Sequence, residues 1–211
     1  WLERRQGDPY VRLSKVHATR SRASFKLDQL QQRYKFLRPG HVVYDLGAAP
    51  GGWAEVAKRY RAAAVSSSAS LAPSPDAVLT PTARGAIYAV DLCTMDPILG
   101  VHVVHGDARL LKDARYPMAD VVLSDMAPSF TGHENIDMTN ANAIADLVIE
   151  MVDAKLKRGG TLVHKFFAGQ VAESQRDEAH QAARFGRVMI AKPHASRSQS
   201  SEAYLVCRKF R

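Results

Sequence analysis

The sequence predicts an α/β fold, a mostly parallel, doubly wound sheet with an antiparallel hairpin at one edge. Three observations point to it. From Gly40 onward, five apolar runs of strand length, rich in Val, Ile and Leu, alternate with helical stretches. The runs are nearly continuous rather than alternating, which marks strands buried on both faces and hence parallel strands with helices between them. The last two candidate strands are instead joined by the polar loop HASRSQS, which suits an antiparallel pair.

Each element has its own signal. Residues 10–36 carry Tyr10, Val11, Leu13 and Val16, then Phe25, Leu27 and Leu30, and read as helix with basic residues interleaved. HVVYDL (41–46) is the first strand, and it breaks into the small-residue turn GAAPGGW ahead of a helix. Residues 61–85, RAAAVSSSASLAPSPDAVLTPTARG, have the composition of a linker and read as a surface insertion. AIYAVDL (86–92), VHVVHGD (101–107) and ADVVLSD (119–125) follow as strands. Within TNANAIADLVIEMVDAKLKRGG (139–160), Ile144, Leu147, Val148, Met151, Val152 and Leu156 recur at helical spacing, with Gly159 and Gly160 as the stop. GTLVHKFF (160–167) is the fifth strand, and RVMIAKP (187–193) and SEAYLVCRKF (201–210) form the edge hairpin.

The bulk composition narrows the function classes. With 211 residues the chain makes one domain over 1–211, and no apolar run approaches the roughly 20 residues of a membrane helix. Cys93 and Cys207 are the only cysteines and have no metal-ligand spacing, so neither a disulfide framework nor a metal site is expected. The net charge of +8 is divided unevenly. Residues 1–38 hold ten Lys/Arg against three acids and residues 184–211 hold seven against one, whereas the middle is net −5. Basic ends beside an acidic centre suit a polyanion binder, nucleic acid being the commonest polyanion, with 1–38 as a basic helical segment; a merely solvated surface would carry the same charge.

The turn VVYDLGAAPGGW (42–53) identifies the small ligand. Gly47, Gly51 and Gly52 do not make the dinucleotide spacing G-x-G-x-x-G, no P-loop lysine is present, and Asp45 would repel a phosphate. That disfavours a dinucleotide-dependent oxidoreductase. A ligand with cationic groups fits better, and S-adenosylmethionine has an ammonium, a sulfonium and no phosphate. Ligands of doubly wound sheets sit beyond the carboxyl ends of the strands, which here bring Asp45, Asp91, Asp107 and Asp125 together with Lys165. Asp91 is placed to grip ribose hydroxyls and Asp107 the adenine amino group, although a turn or helix N-cap would also explain each acid singly. Lys165 lies inside an apolar strand, as a structural ion pair or a proton-transfer amine. Glu202 points with Tyr204 and Val206 to one face, while His164, opposite Lys165, reads as packing or surface.

RSRASFKLDQL (20–30), LGAAPGGW (46–53), VDLCTMDPILGV (90–101), SDMAPSFTG (124–132), LVHKFFAG (162–169) and KPHASRSQSSEAYLV (192–206) resemble, in order, the motifs of the FtsJ/RrmJ family of large-subunit ribosomal RNA ribose 2′-O-methyltransferases. The resemblance implies a Rossmann-like, S-adenosylmethionine-dependent methyltransferase with a Lys-Asp-Lys-Glu catalytic set, which falls on Lys26, Asp125, Lys165 and Glu202. It puts cofactor positions on Gly51, Trp53, Asp91, Asp107 and Asp125, and the full expected cofactor set adds Asp45, Gly47, Pro50, Gly52 and Leu92. It also implies large-subunit ribosomal RNA or the pre-ribosomal large subunit as partner, together with other assembly factors, and neither metal nor membrane. In this reading Lys165 is the base for a ribose 2′-hydroxyl of uridine, Asp125 and Glu202 orient the lysines, and Arg20, Arg22, Lys26 and Arg197 hold RNA phosphates. The opening WLERRQGDPYVRLSKVHATRSRASFKL is more similar to mitochondrial members, so the expected compartment is the mitochondrial matrix, with a bacterial-type cytoplasmic setting as the alternative. The rival reading is an RNA-binding ribosome-assembly factor of the same fold whose catalysis is incidental or absent.

Overall fold

The computed structural model describes residues 9–16, 19–62, 85–128, 131–167, 181–197 and 200–211. Helices α1 (Pro9–Val16) and α2 (Ala23–Tyr34) lead into β1 (Val43–Leu46) and α3 (Gly52–Ala62). Next come β2 (Ile87–Asp91), β3 (His102–His105), a 3-10 turn (Ala108–Lys112) and β4 (Ala119–Ser124). The chain continues through α4 (Glu134–Lys155), β5 (Leu156–Phe167), β6 (Phe185–Ala191) and β7 (Glu202–Phe210). The strands form one seven-stranded sheet in the order β3-β2-β1-β4-β5-β7-β6. β1 to β5 are parallel, and β7 runs antiparallel to both β5 and β6. The order reverses at β1, so β1 and β4 part at their carboxyl ends and leave a crevice there.

Both faces of the sheet are covered, as the near-continuous apolar runs require. On one side Leu27 and Leu30 of α2 and Trp53, Val56 and Ala57 of α3 pack on Val43, Leu123, Val163, Tyr204 and Val206. On the other, Val148, Met151 and Val152 of α4 pack on Tyr44, Leu46, Val122, Leu162 and Leu205. β3 is the outer strand, with both terminal histidines exposed; a short polar edge gives little template for pairing with another chain.

Two elements differ from the sequence expectation. The basic N-terminal stretch is not one helix but two, because Arg20 turns inward and its backbone N–H and Nε donate to Glu55 of α3. The long helix begins at Glu134 and ends at Lys155, earlier than Gly159 and Gly160 suggest. Lys155 Nζ donates to the carbonyl oxygens of Asp113 and Tyr116, and Leu156 already pairs with Ala119 in the sheet. The next paired positions are Val121 and Thr161, so the glycines serve a bulge, with Gly159 at φ +81. The proposed insertion at 61–85 falls mostly on residues outside those described; Arg61 Nη1 donates to Gly85 O at 2.8 Å and ties its two ends together. Among the described residues no helix is long and apolar enough to cross a membrane.

β7 is the keystone of the antiparallel half. Leu205 is fully buried between His164 and Ile190. Leu205→Ala is expected to cost about 2–5 kcal/mol, read as a lower urea midpoint without a change in slope.

Candidate active site

The loop after β1 is built by close approach. Gly47 has φ +73, and a Cβ there would run into the Met126 side chain; a Cβ on Gly52 would meet Ser21 and Ser24 at the start of α2. Only glycine admits both neighbours. Gly47 and Ala48 donate their N–H groups to Val90 O, and Gly51 N–H to Ala48 O at 2.6 Å. Asp91, at the end of β2, accepts from Ala49 N–H through one carboxylate oxygen and from Cys93 N–H through the other, at 2.8 and 2.7 Å. It therefore links the two loops between which the ligand would lie.

Arg20, expected at an RNA phosphate, clasps this loop from outside. Its Nη1 donates to Pro50 O and Asp96 O at 3.4 and 3.0 Å and its Nη2 to Pro97 O at 2.8 Å, besides the bond to Glu55. Trp53 is buried, its indole N–H donating to Ala23 O at 2.9 Å, so it braces α2 behind the loop. Asp107 caps the 3-10 turn through Arg109 N–H and pairs with the Arg109 guanidinium at 3.2 Å. Leu92 is 73% exposed beyond Asp91, an apolar surface at the mouth of the crevice.

Asp45 differs from every other acid. It lies within β1 and is 1% exposed, and neither carboxylate oxygen has a hydrogen-bond partner among the described residues. Burial first, then the charge of Asp125, pushes its pKa up to about 8; the Ala54 amide works the other way without a hydrogen bond of normal length. A buried acceptor left without a donor suits a cationic ligand group, as the ammonium of S-adenosylmethionine would be.

Two ion pairs stand at the end of the crevice. Lys26 of α2 lies 2.7 Å from Glu202 Oε1, and Lys165 of β5 lies 3.2 Å from Asp125 Oδ1, with all four side chains less than a fifth exposed. Lys165 also donates to the backbone carbonyl of Asp125. The four predicted catalytic residues thus form two adjoining pairs from α2, the residue after β4, β5 and β7. Sequence reasoning assigned no role to their supports. Tyr204 O–H donates to Asp125 Oδ1 at 2.8 Å beneath Lys26, whose amine is 5.9 Å from the ring, and Ser196 Oγ donates to Glu202 Oε1 at 2.8 Å. Tyr204 shares the alternation of Glu202, a signal that could have found it; Ser196 has none. Burial works to raise the Glu202 pKa, but Lys26, Ser196 and Lys165 together hold it below the ordinary glutamate value. Tyr204 is held protonated by burial and by its two acidic neighbours. His164, on the other face, is buried and pushed down to about 4 by burial and by Lys165, hence neutral near pH 7. Arg22 donates to Ala195 O at 2.8 Å and Arg197 is exposed.

A doubly wound sheet with an antiparallel seventh strand, a glycine loop over an unpaired acid and a rim of paired lysines and acids define an S-adenosylmethionine-dependent methyltransferase. The chain belongs to the FtsJ-like methyltransferase family, which it matches over residues 19–210. It is 34% identical to the Ribosomal RNA large subunit methyltransferase E of Pseudomonas fluorescens, over 100% of this chain and 94% of that one. The protein of the same name from Hahella chejuensis is 37% identical over 100% and 95%. These relatives are bacterial and lend no support to the mitochondrial expectation. Among solved structures, a Plasmodium falciparum protein described as a ribosomal RNA methyltransferase superposes with TM-score 0.68 and 24% identity, covering 90% of this chain and 98% of that one. Fibrillarin from Aeropyrum pernix, with S-adenosylmethionine bound, gives 0.54 and 16% over 87% and 75%. Both share the fold.

The state of Asp45 has a signed pH consequence. Its folded pKa of about 8 lies above the ordinary 3.8, so its contribution to stability is complete below the lower value and is lost as pH rises through the higher. Asp45→Asn should therefore melt higher than the parent at pH 8 but not at pH 4, while calorimetry should show S-adenosylmethionine binding weakened by more than about tenfold, or 1.4 kcal/mol. A parent–variant difference independent of pH would remove the assignment. Arg20→Ala, which opens the clasp, is expected to weaken cofactor binding in the same assay by more than it weakens RNA binding.

Proposed function

We propose that this protein transfers a methyl group from S-adenosylmethionine to the 2′-hydroxyl of a uridine ribose in large-subunit ribosomal RNA, during maturation of that subunit. The observation that carries the reading is the double pair Lys26–Glu202 and Lys165–Asp125 beside the glycine loop. The names of its relatives support the substrate, and the basic ends of the chain suit RNA. The bacterial origin of those relatives favours the bacterial-type cytoplasmic setting.

A ribose hydroxyl is a weak nucleophile, so the protein must align it and accept its proton. S-adenosylmethionine supplies the electrophilic methyl group when bound, with Asp45, the loop Gly47–Gly52, Asp91, Leu92 and Asp107 as its holders. Lys165 Nζ takes the 2′-hydroxyl proton. Asp125 fixes that amine through both its carboxylate and its carbonyl oxygen, and Tyr204 fixes the carboxylate. Glu202, held by Lys26 and Ser196, completes the acidic side. Lys26, Arg22 and Arg197 lie on or beside this rim and would meet the phosphates of the reacting strand, where the 2′-hydroxyl itself distinguishes RNA from DNA.

A purely structural Lys165–Asp125 pair and a catalytic one share this geometry, so the amine must be removed with the stem kept. Lys165→Met is expected to bind cofactor and RNA nearly normally and to lose about a hundredfold or more in single-turnover methylation. A parental rate in that variant would refute the base. Mapping of 2′-O-methyl groups on large-subunit ribosomal RNA treated with the protein tests the substrate, and no new methylated uridine would overturn it.

A further inference from the structure

The sheet has a second charged end. At the amino-terminal ends of the parallel strands, far from the glycine loop, lies a cleft of about 220 Å³ whose lining includes Arg38, Arg158, Arg208 and Lys209. None of these four side chains has an ion pair or hydrogen bond among the described residues. The contrast with Lys157 in the same lining is plain, for it pairs with Asp120 at 2.9 and 3.0 Å, which uses the only acid there. In the same lining, His41 Nδ1 is buried with no hydrogen-bond partner among the described residues.

The ladder beside this cleft is unfavourable as it stands. Arg208 on β7 is the direct register partner of Arg187 on β6, and Arg187 too lacks a counter-ion among the described residues. Like charges directly opposite each other destabilise a sheet, and Arg208 shares the cleft lining with Arg38, Arg158 and Lys209, which have no counter-ion among the described residues. An anion bridging them removes the cost. Paired guanidinium groups suit phosphate oxygens, to which each can donate two parallel hydrogen bonds. Phe36 in the lining is only 2% exposed and offers no face for stacking a base, so the contact would read backbone phosphates and not sequence.

We propose that this cleft is a second RNA contact, separate from the catalytic rim, which grips the phosphates of a further segment of the ribosomal RNA substrate. Arg208 opposes Thr161, four residues before Lys165 on β5, or about 13 Å at the rise of an extended strand. A structured RNA can reach both places, whereas one reacting nucleotide cannot. The proposal rests on the reading that the substrate is RNA, and it deepens it: the preferred substrate is a folded RNA and not a short single strand.

The test replaces Arg38, Arg158 and Arg208 together by Gln and compares binding to a transcribed domain of large-subunit ribosomal RNA at several salt concentrations. Each phosphate contact contributes roughly 0.7–0.9 to the slope of log affinity against log salt, so the slope should fall by about two to three and affinity at moderate salt by tenfold or more. KM for the RNA should rise while the single-turnover rate at saturating RNA and S-adenosylmethionine affinity stay parental. The melting temperature should not fall, since repulsion has been relieved; if the triple variant does melt lower, Arg208→Gln alone is read in the same way, with a slope loss of about one. Unchanged affinity and slope would overturn the proposal and leave either a solvated surface or a site for an acidic protein. Because binding is compared between parent and variant whether or not methylation occurs, an inactive parent counts against the proposed reaction and not against this contact.

Discussion

An ammonium group taken out of water must take an anion with it, and this active site obeys that constraint twice. The side chains of Lys26 and Lys165 are 9% and 7% exposed, and each faces one carboxylate. Removing one partner of such a pair costs about 3–5 kcal/mol, because the other charge is left buried alone. Since the four groups come from α2, the end of β4, where Asp125 follows the strand, β5 and β7, satisfying them holds the first long helix, the centre of the parallel sheet and the antiparallel strand in one arrangement. Tyr204 and Ser196 then use the lone pairs that the lysines leave over.

Asp45 obeys the opposite rule. The lysines carry their counter-charges within the fold, but this carboxylate has no donor of its own among the described residues and is pushed toward its neutral form. The protein thus keeps one half of its site complete and the other waiting for a ligand. Whatever binds there and supplies a positive group stabilises the folded chain by mass action, which couples cofactor occupancy to stability through a single buried residue.

Much of this was legible in the sequence because it rests on local signals. The five parallel strands were visible as apolar runs, the glycine loop as a run of small residues, and the acids as breaks where those runs meet solvent. The candidate catalytic set came from motif resemblance, and the structure places its four residues in two adjoining ion pairs. What sequence could not supply depends on tertiary partners. The bonds of Arg20 to three backbone carbonyls have no local signal, because they depend on where the 96–97 segment lies in the fold. Gly159 and Gly160 looked like a helix stop, but Ala119 captures Leu156 first and turns them into a bulge. Asp107 stands on both sides of this divide, since it is a rim acid by strand order and an N-cap by geometry.

The Lys26–Glu202 contact joins positions 176 apart in the chain. The partner strand β7 arrives after every other element, yet it lies inside the sheet between β5 and β6. A contact of that span forms late, because the intervening chain must already be ordered before its closure is rewarded. During synthesis the cofactor loop and the amine of Lys165 would exist before the strand that completes the catalytic rim. Completion of this rim therefore depends on a contact between the second helix and the last strand of those described, across nearly the whole of the described chain.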